Sequence, residues 1–338
     1  MDPEVYDKII DFSHTLLPKF YEYFEARKRI LGLDEMMICD CSLSVADYEP
    51  VQISYEDAVN MGRAGISVWG DEYLEVFDNI ITSPHVDVYP SETKESGAYE
   101  CVTGNKITPF LNINFNGMES YTSTIIHEMG HAVYDGLTIK NQNYYNCGPS
   151  IFTHEVASTA NELMFHRYKI ENAGSKEEQL YWLDKEIDLF ISALLKQCMY
   201  SEFEDYCYKI IENGGALDAD SLCEKWLELE HLYYGDEMTI AEDTGIDWAR
   251  IPHFHLNYYV YEYATSLTYA ASICNRVDEK GQEAIDDYLD FLKAGASASP
   301  ADCLKIAGVD PLDDGTYEAA GFLIEDLIDE FIETAEGK

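Results

Sequence analysis

From Tyr6 to Leu31 apolar side chains return every three or four residues: Ile9, Ile10, Phe12, Leu16, Leu17, Phe20, Tyr23 and Phe24. That is the period of one buried helix face, and Gly32 ends it. Pro18 lies inside the pattern and is expected to kink or interrupt it, because it removes a backbone donor. A second helix is predicted from Ser54 to Gly62, with Ser54 as N-cap and Asp57 three residues on, a variant of the capping box. A third covers Glu72 to Ile81. Between Val86 and Asn116 the period changes. VDVY and FLNINF alternate apolar with polar positions, punctuated by Gly97, Gly104, Asn105 and Pro109, which predicts a small antiparallel sheet of two or three strands. From Tyr121 the helical period resumes almost to the end, with breaks near 141–149, 172–175, 213–218, 235–245, 297–299 and 310–315.

No repeat, low-complexity linker or shift of composition marks a second domain. The expectation is a single mainly α domain over residues 1–338. It holds a small sheet at about 86–116, a pair of helices at about 121–170 and a helical C-terminal part at 176–335.

Composition narrows the class. Of 338 residues, 46% are hydrophobic and 13% aromatic, enough for a large core, so a disordered or fibrous chain is excluded. Acidic residues outnumber Lys plus Arg by 64 to 22, a formal net charge of −42. Such a surface repels phosphate backbones and anionic lipid, which argues against nucleic acid and membrane partners. Nine cysteines, none at CxxC spacing, suggest neither a disulfide framework nor a zinc knuckle. The opening MDPEVYDKII has no basic and apolar signal pattern, and no run approaches the roughly 18 apolar residues of a membrane span. A reducing, cytoplasmic setting is the expectation.

The chemistry concentrates at HEMGH, residues 127–131. His127 and His131, four apart on a helix, project from one face and can both ligate one zinc ion. Glu128 between them is placed to act on a water activated by the metal. A catalytic zinc takes a third protein ligand, expected from a nearby helix. The segment IFTHEVASTANELMFHRY offers Glu155 for that place, with Glu162 two turns further along the same face as an orienting or structural acid. Ser158, between them, is assigned with Glu162 to the layer behind the ligands. His154 points roughly 100° around the helix from Glu155 and reads as a partly exposed polar residue.

HEMGH followed by NQNYYNCGPSIFTHEVASTANE resembles the active-site region of the oligoendopeptidase F branch of the thimet-oligopeptidase family of zinc metallopeptidases. RKRILGLDEM, SGAY at Ser96–Tyr99, WARIPHFHLNYYVYEYAT and DYLDFLKAG extend the resemblance over nearly the whole chain. It implies a helical, zincin-like catalytic domain with a small antiparallel sheet beside a deep cleft. It also implies one zinc ion and the cleavage of short peptides rather than folded proteins. Family members are usually longer, with an N-terminal helical lobe forming the other wall of the cleft. This chain begins about where their catalytic portion begins, so the expectation is either a homodimer or a separate N-terminal lobe over the cleft, or a monomer that binds peptides weakly and cuts slowly.

His253, Tyr258, Tyr259, Tyr261 and Tyr263 crowd together after Pro252. Such side chains suit core packing as well as oxyanion stabilisation. The resemblance implies that a histidine and tyrosines from this run serve the oxyanion; His253 with Tyr258 and Tyr258 with Tyr261 both fit parts of the pattern, and the assignment is His253 and Tyr258, with Tyr261 next. Ser96, Gly97, Ala98 and Tyr99 open a predicted strand. Gly97 there would let an extended substrate approach, unless the segment is an ordinary hairpin bend. The reaction expected is zinc-dependent hydrolysis of internal peptide bonds with Glu128 as proton shuttle. The rivals are a zinc exopeptidase of carboxypeptidase type, a peptide-binding homologue with weak turnover, and a protein in which zinc only staples helices. The intact Glu128 argues against the last two, since binding or stapling needs only the ligands.

Overall fold

The computed structural model describes residues 2–104 and 106–337. They divide into two compact units, the first built from residues 48–174 and 266–320. The second takes residues 2–47, 175–265 and those from 321 onward.

The first unit carries α2 (Tyr55–Gly65), α3 (Asp71–Ile81), strands β2 (Val86–Asp87), β3 (Tyr99–Cys101) and β4 (Phe110–Asn112), α4 (Thr122–Asn141) and α5 (Ile151–Glu171). Most of α9 (Tyr261–Lys280), α10 (Gln282–Ala294), α11 (Pro300–Ile306) and the start of α12 (Asp314–Glu336) complete it. Ser54 caps α2 as expected: its hydroxyl accepts from the Asp57 N–H at 3.0 Å and donates to the Asp57 carboxylate at 2.7 Å. The small sheet has the order β2–β4–β3. Only β3 and β4 are antiparallel; β2 runs parallel to β4, so the sheet is mixed where a wholly antiparallel one was expected. The chain between β2 and β4 is long enough to hold β3 and return, which is what a parallel pair requires.

Helix α4 is the centre of this unit. Ile125, Ile126, Met129, Ala132, Val133 and Leu137 along it are all fully buried, more than one face's worth, so it is packed on several sides.

The second unit holds α1 (Pro3–Leu31), a two-stranded parallel ladder of β1 (Met36–Met37) with β5 (Met238–Thr239), α6 (Lys176–Phe190), α7 (Lys196–Glu212) and α8 (Ala219–Tyr234). Asp2 caps α1 by accepting from the Glu4 N–H, and Gly32 at φ 66 closes it. Pro18 does not interrupt α1. Its neighbours Leu16, Leu17 and Phe20 are buried, and that packing outweighs the one lost backbone bond. Between α6 and α7 lies a π-helical turn, Ile191–Leu195. Inside, Arg27 is fully buried and donates to Asp184, to the Tyr23 hydroxyl at 3.1 Å and to the carbonyls of Cys41 and Leu43. None of the nine cysteines is disulfide-bonded. No described helix is long and apolar enough to cross a membrane.

Candidate metal centre

The close approach of α4 and α5 creates the site, and one glycine permits it. A Cβ on Gly130 would sit 2.5 Å from Ser158 Cα and 2.6 Å from the Ala157 carbonyl oxygen, so the two backbones touch there. The contact places the face of α5 bearing Glu155 against the face of α4 bearing His127 and His131. Asn161 fastens the same pair of helices: its Nδ2 donates to the Ile126 carbonyl at 3.1 Å. Its Oδ1 accepts from Trp69 Nε1 at 2.9 Å and from the Tyr73 hydroxyl at 3.0 Å, tying in α3 and the turn before it. Every polar atom of this buried amide is thereby engaged. Neither Gly130 nor Asn161 was singled out as a functional residue from sequence. The glycine within HEMGH was the available signal.

We expect Gly130→Ala to cost about 1–3 kcal/mol or more of stability, since backbone cannot yield as a side chain would. Metal affinity should fall with it. Chemical denaturation and metal titration check both, and a variant as stable as the parent would contradict the role assigned to the contact.

His127 Nε2 and His131 Nε2 each lie 3.5 Å from Glu155 Oε2. The three donor atoms fall within 4.8 Å of one another. Glu162 is on the far side of His127, its Oε2 3.3 Å from Nδ1, where it favours the tautomer that leaves the Nε2 lone pair facing Glu155. Ser158 is fully buried and donates to Glu155 Oε2 at 3.0 Å, which sets that carboxylate's rotamer. His154 is not one of the three converging donors. Its ring lies 4.3 Å from that of His131, and its Nε2 is 3.6 Å from Asp135 Oδ2.

The electrostatics are those of a buried acidic pocket. Burial opposes charge on His127, but the carboxylates of Glu162, Glu155 and Glu128 outweigh it and hold the ring's pKa up to about 9. His131, by contrast, is pushed well below its ordinary value by burial and then by the neighbouring His154 and His127, so it stands neutral with a free lone pair. Burial lifts Glu128 to about 7; the charge on His127 lowers it, Glu155 and Glu162 raise it, and the backbone N–H of Glu100 bonds it. A carboxyl poised there can both accept and donate a proton near neutrality.

The other expected residues fall as follows. Ser96, Gly97 and Ala98 form the irregular entry to β3, which begins at Tyr99. Gly97 has φ 90 and its carbonyl accepts from Asn114 Nδ2 at 2.7 Å. β3 is an outer strand of its sheet, as is β2 on the other side of β4. His253, Tyr258 and Tyr261 belong to the second unit. There His253 stacks on Tyr259, centroids 5.8 Å apart, and meets Tyr263 edge-on at 6.0 Å. Tyr258 instead stacks on Tyr208, its hydroxyl donating to Asp205 at 3.2 Å and its N–H to Glu204 at 2.8 Å. It holds φ 48, a left-handed conformation unusual for a bulky residue. Tyr261 packs edge-on against Tyr6 at 5.6 Å. Tyr259 and Tyr263, which share the His253 ring, were left outside the assigned set.

Residues 1–321 match the family model described as Peptidase family M3. The chain belongs to that family. It is 34% identical over 330 residues to oligopeptidase PepF of Bacillus subtilis, covering 98% of this chain and 49% of that protein. The solved oligoendopeptidase-F from Enterococcus faecium superposes with a TM-score of 0.75 at 26% identity, over 100% of this chain and 54% of that one. The fold alone is also shared with the Trypanosoma cruzi metallocarboxypeptidase 1, 15% identical with a TM-score of 0.59, over 94% and 68% of the two chains. This M3 chain spans about half the length of the relatives it matches.

Proposed function

We propose that this M3-family chain is the catalytic domain, residues 1–338, of a zinc metalloendopeptidase that hydrolyses internal bonds of short, unfolded peptides. The observation that carries the reading is the convergence of two imidazole nitrogens and one carboxylate oxygen within 4.8 Å, with Glu128 beside them. That donor set fits zinc. Burial keeps His131 neutral, Glu162 and Ser158 orient His127 and Glu155, and an entering cation would displace the proton that the carboxylates favour on His127. His127, His131 and Glu155 would hold one zinc ion, which when bound supplies Lewis-acid polarisation and a more acidic water.

The chain's own residues do the rest. Glu128 takes the proton of the attacking water and hands it to the departing amine nitrogen. Glu162 and Ser158 keep His127 and Glu155 in place. The run Ser96–Tyr99, leading into the outer strand β3, pairs with the backbone of an extended peptide. His253 and Tyr258, with Tyr261 next, donate to the oxyanion. A homodimer or a separate N-terminal lobe would complete the cleft, in a cytoplasmic setting.

Mass spectrometry of end-blocked peptides incubated with zinc-loaded protein tests the reading. Internal cuts that vanish on chelation support it; removal of C-terminal residues alone from free peptides would favour an exopeptidase. Tyr258→Phe separates the roles of the tyrosines. An oxyanion donor forms its bond mainly in the transition state, so its loss should lower kcat by about 10²–10³-fold with little change in KM. Unchanged kcat in Tyr258→Phe beside a crippled Tyr259→Phe or Tyr263→Phe would transfer the role to the tyrosines that touch His253.

A further inference from the structure

Glu100 on β3, Asp135 on α4 and His154 on α5 converge behind His131, and the peptidase reading uses none of them. One ligand atom from each lies within 4.8 Å of the others. Glu100 Oε1, Asp135 Oδ1 and His154 Nε2 are all buried without a hydrogen-bond partner. Asp135 is only 3% exposed. The 3.6 Å from its Oδ2 to His154 Nε2 is beyond a good hydrogen bond. Two carboxyls in contact in such a place are costly unless a proton or a cation compensates them.

We infer that Glu100, Asp135 and His154 form a second site for a divalent first-row metal ion. The donor set, one imidazole and two carboxylates, is softer than the all-oxygen sets of calcium and magnesium and suits manganese or zinc. Burial raises the pKa of Glu100 to about 9 and of Asp135 to about 7, so the metal-free pair keeps protons that an entering cation releases. The ion would tie the side chains of strand β3 and helices α4 and α5 together at one point, adding to the Glu100 N–H bond to Glu128 that already holds β3 to α4. The His131 and His154 rings, 4.3 Å apart, separate it from the first cluster. The two groups share no ligand residue, so no side chain bridges them.

Metal-free protein comprising residues 1–338, saturated with Zn2+ or with Mn2+ and freed of excess, is assayed by elemental analysis, with manganese resonance as a second reading. Two ions per chain are expected for the parent, one for His127→Ala, one for Asp135→Asn and none for the double variant. Glu100→Gln and His154→Ala repeat the test should Asp135→Asn fail to fold by circular dichroism. One ion in the parent and none in folded His127→Ala would overturn the site and leave the two carboxyls sharing a proton. A second ion retained by all three second-site variants would overturn it equally. Loss of the first ion in His127→Ala is read separately, so the two sites stand or fall independently.

Discussion

Glu128→Gln is expected to keep its metal, its fold and its peptide affinity while kcat falls by about 10²–10⁴-fold. Gln has the shape of Glu but cannot receive a proton at neutral pH. Glu128 is not among the three converging donors, so its exchange should leave metal binding untouched. Its surroundings make the expectation sharp. The side chain is 6% exposed, and burial raises its pKa to about 7, so at neutral pH it changes state at little cost in either direction. The amide should even relieve repulsion, since Glu155 and Glu162 both disfavour charge at Glu128. Melting temperature should therefore hold or rise slightly. Zinc content, thermal melting and single-turnover kinetics on an end-blocked peptide give the three readings. Near-parental turnover would remove Glu128 from the reaction, whereas lost zinc would show it to be a structural neighbour of the ligands.

The convergence of His127, His131 and Glu155 was legible in the sequence because two helical periods meet there. His127 and His131 share a face by their spacing, as do Glu155 and Glu162 by theirs, and the structure brings these two faces together. What allows them to meet was harder to see. A glycine inside a helix carries no pattern of its own, and its role at Gly130 depends on Ser158, which lies across the contact. Asn161 likewise reads as one polar residue among many until Trp69, Tyr73 and the Ile126 carbonyl surround it. His154 read as a partly exposed polar residue turned from Glu155, and only the fold sets it against His131 and Asp135. Long helices were found from their period. The parallel pairing of β2 with β4 was not, because strands of two and three residues are too short for alternation to report direction. The π turn at Ile191–Leu195 contains neither Gly nor Pro, so no local signal marks it. Tyr258 shows the limit of spacing arguments in irregular backbone. A left-handed residue turns the chain after His253, and the histidine meets Tyr259 and Tyr263 instead.

The largest effect on metal binding should come from Glu155→Ala, which is expected to abolish binding of the zinc held with His127 and His131, and with it all turnover. Two neutral imidazoles alone bind zinc far more weakly than a set of three donors that includes a carboxylate. The loss should be graded by distance from the ion. Glu155→Ala and His131→Ala remove donors outright. Glu162→Gln keeps all three donors but weakens the hold on His127 Nδ1, now 3.3 Å away, and should cost about 10–100-fold in affinity. Ser158→Ala, which frees the Glu155 carboxylate from a 3.0 Å bond, belongs with Glu162→Gln. Binding also stabilises the fold by mass action, about 2.7 kcal/mol at a hundredfold excess of free metal over Kd. Adding zinc to the metal-free parent should thus raise its melting temperature by more than it raises that of Glu155→Ala. Competition with a chelator of known affinity ranks the series. Equal affinity across Glu155→Ala, Glu162→Gln and the parent would mean that the ion sits elsewhere and that α4 and α5 converge for packing alone.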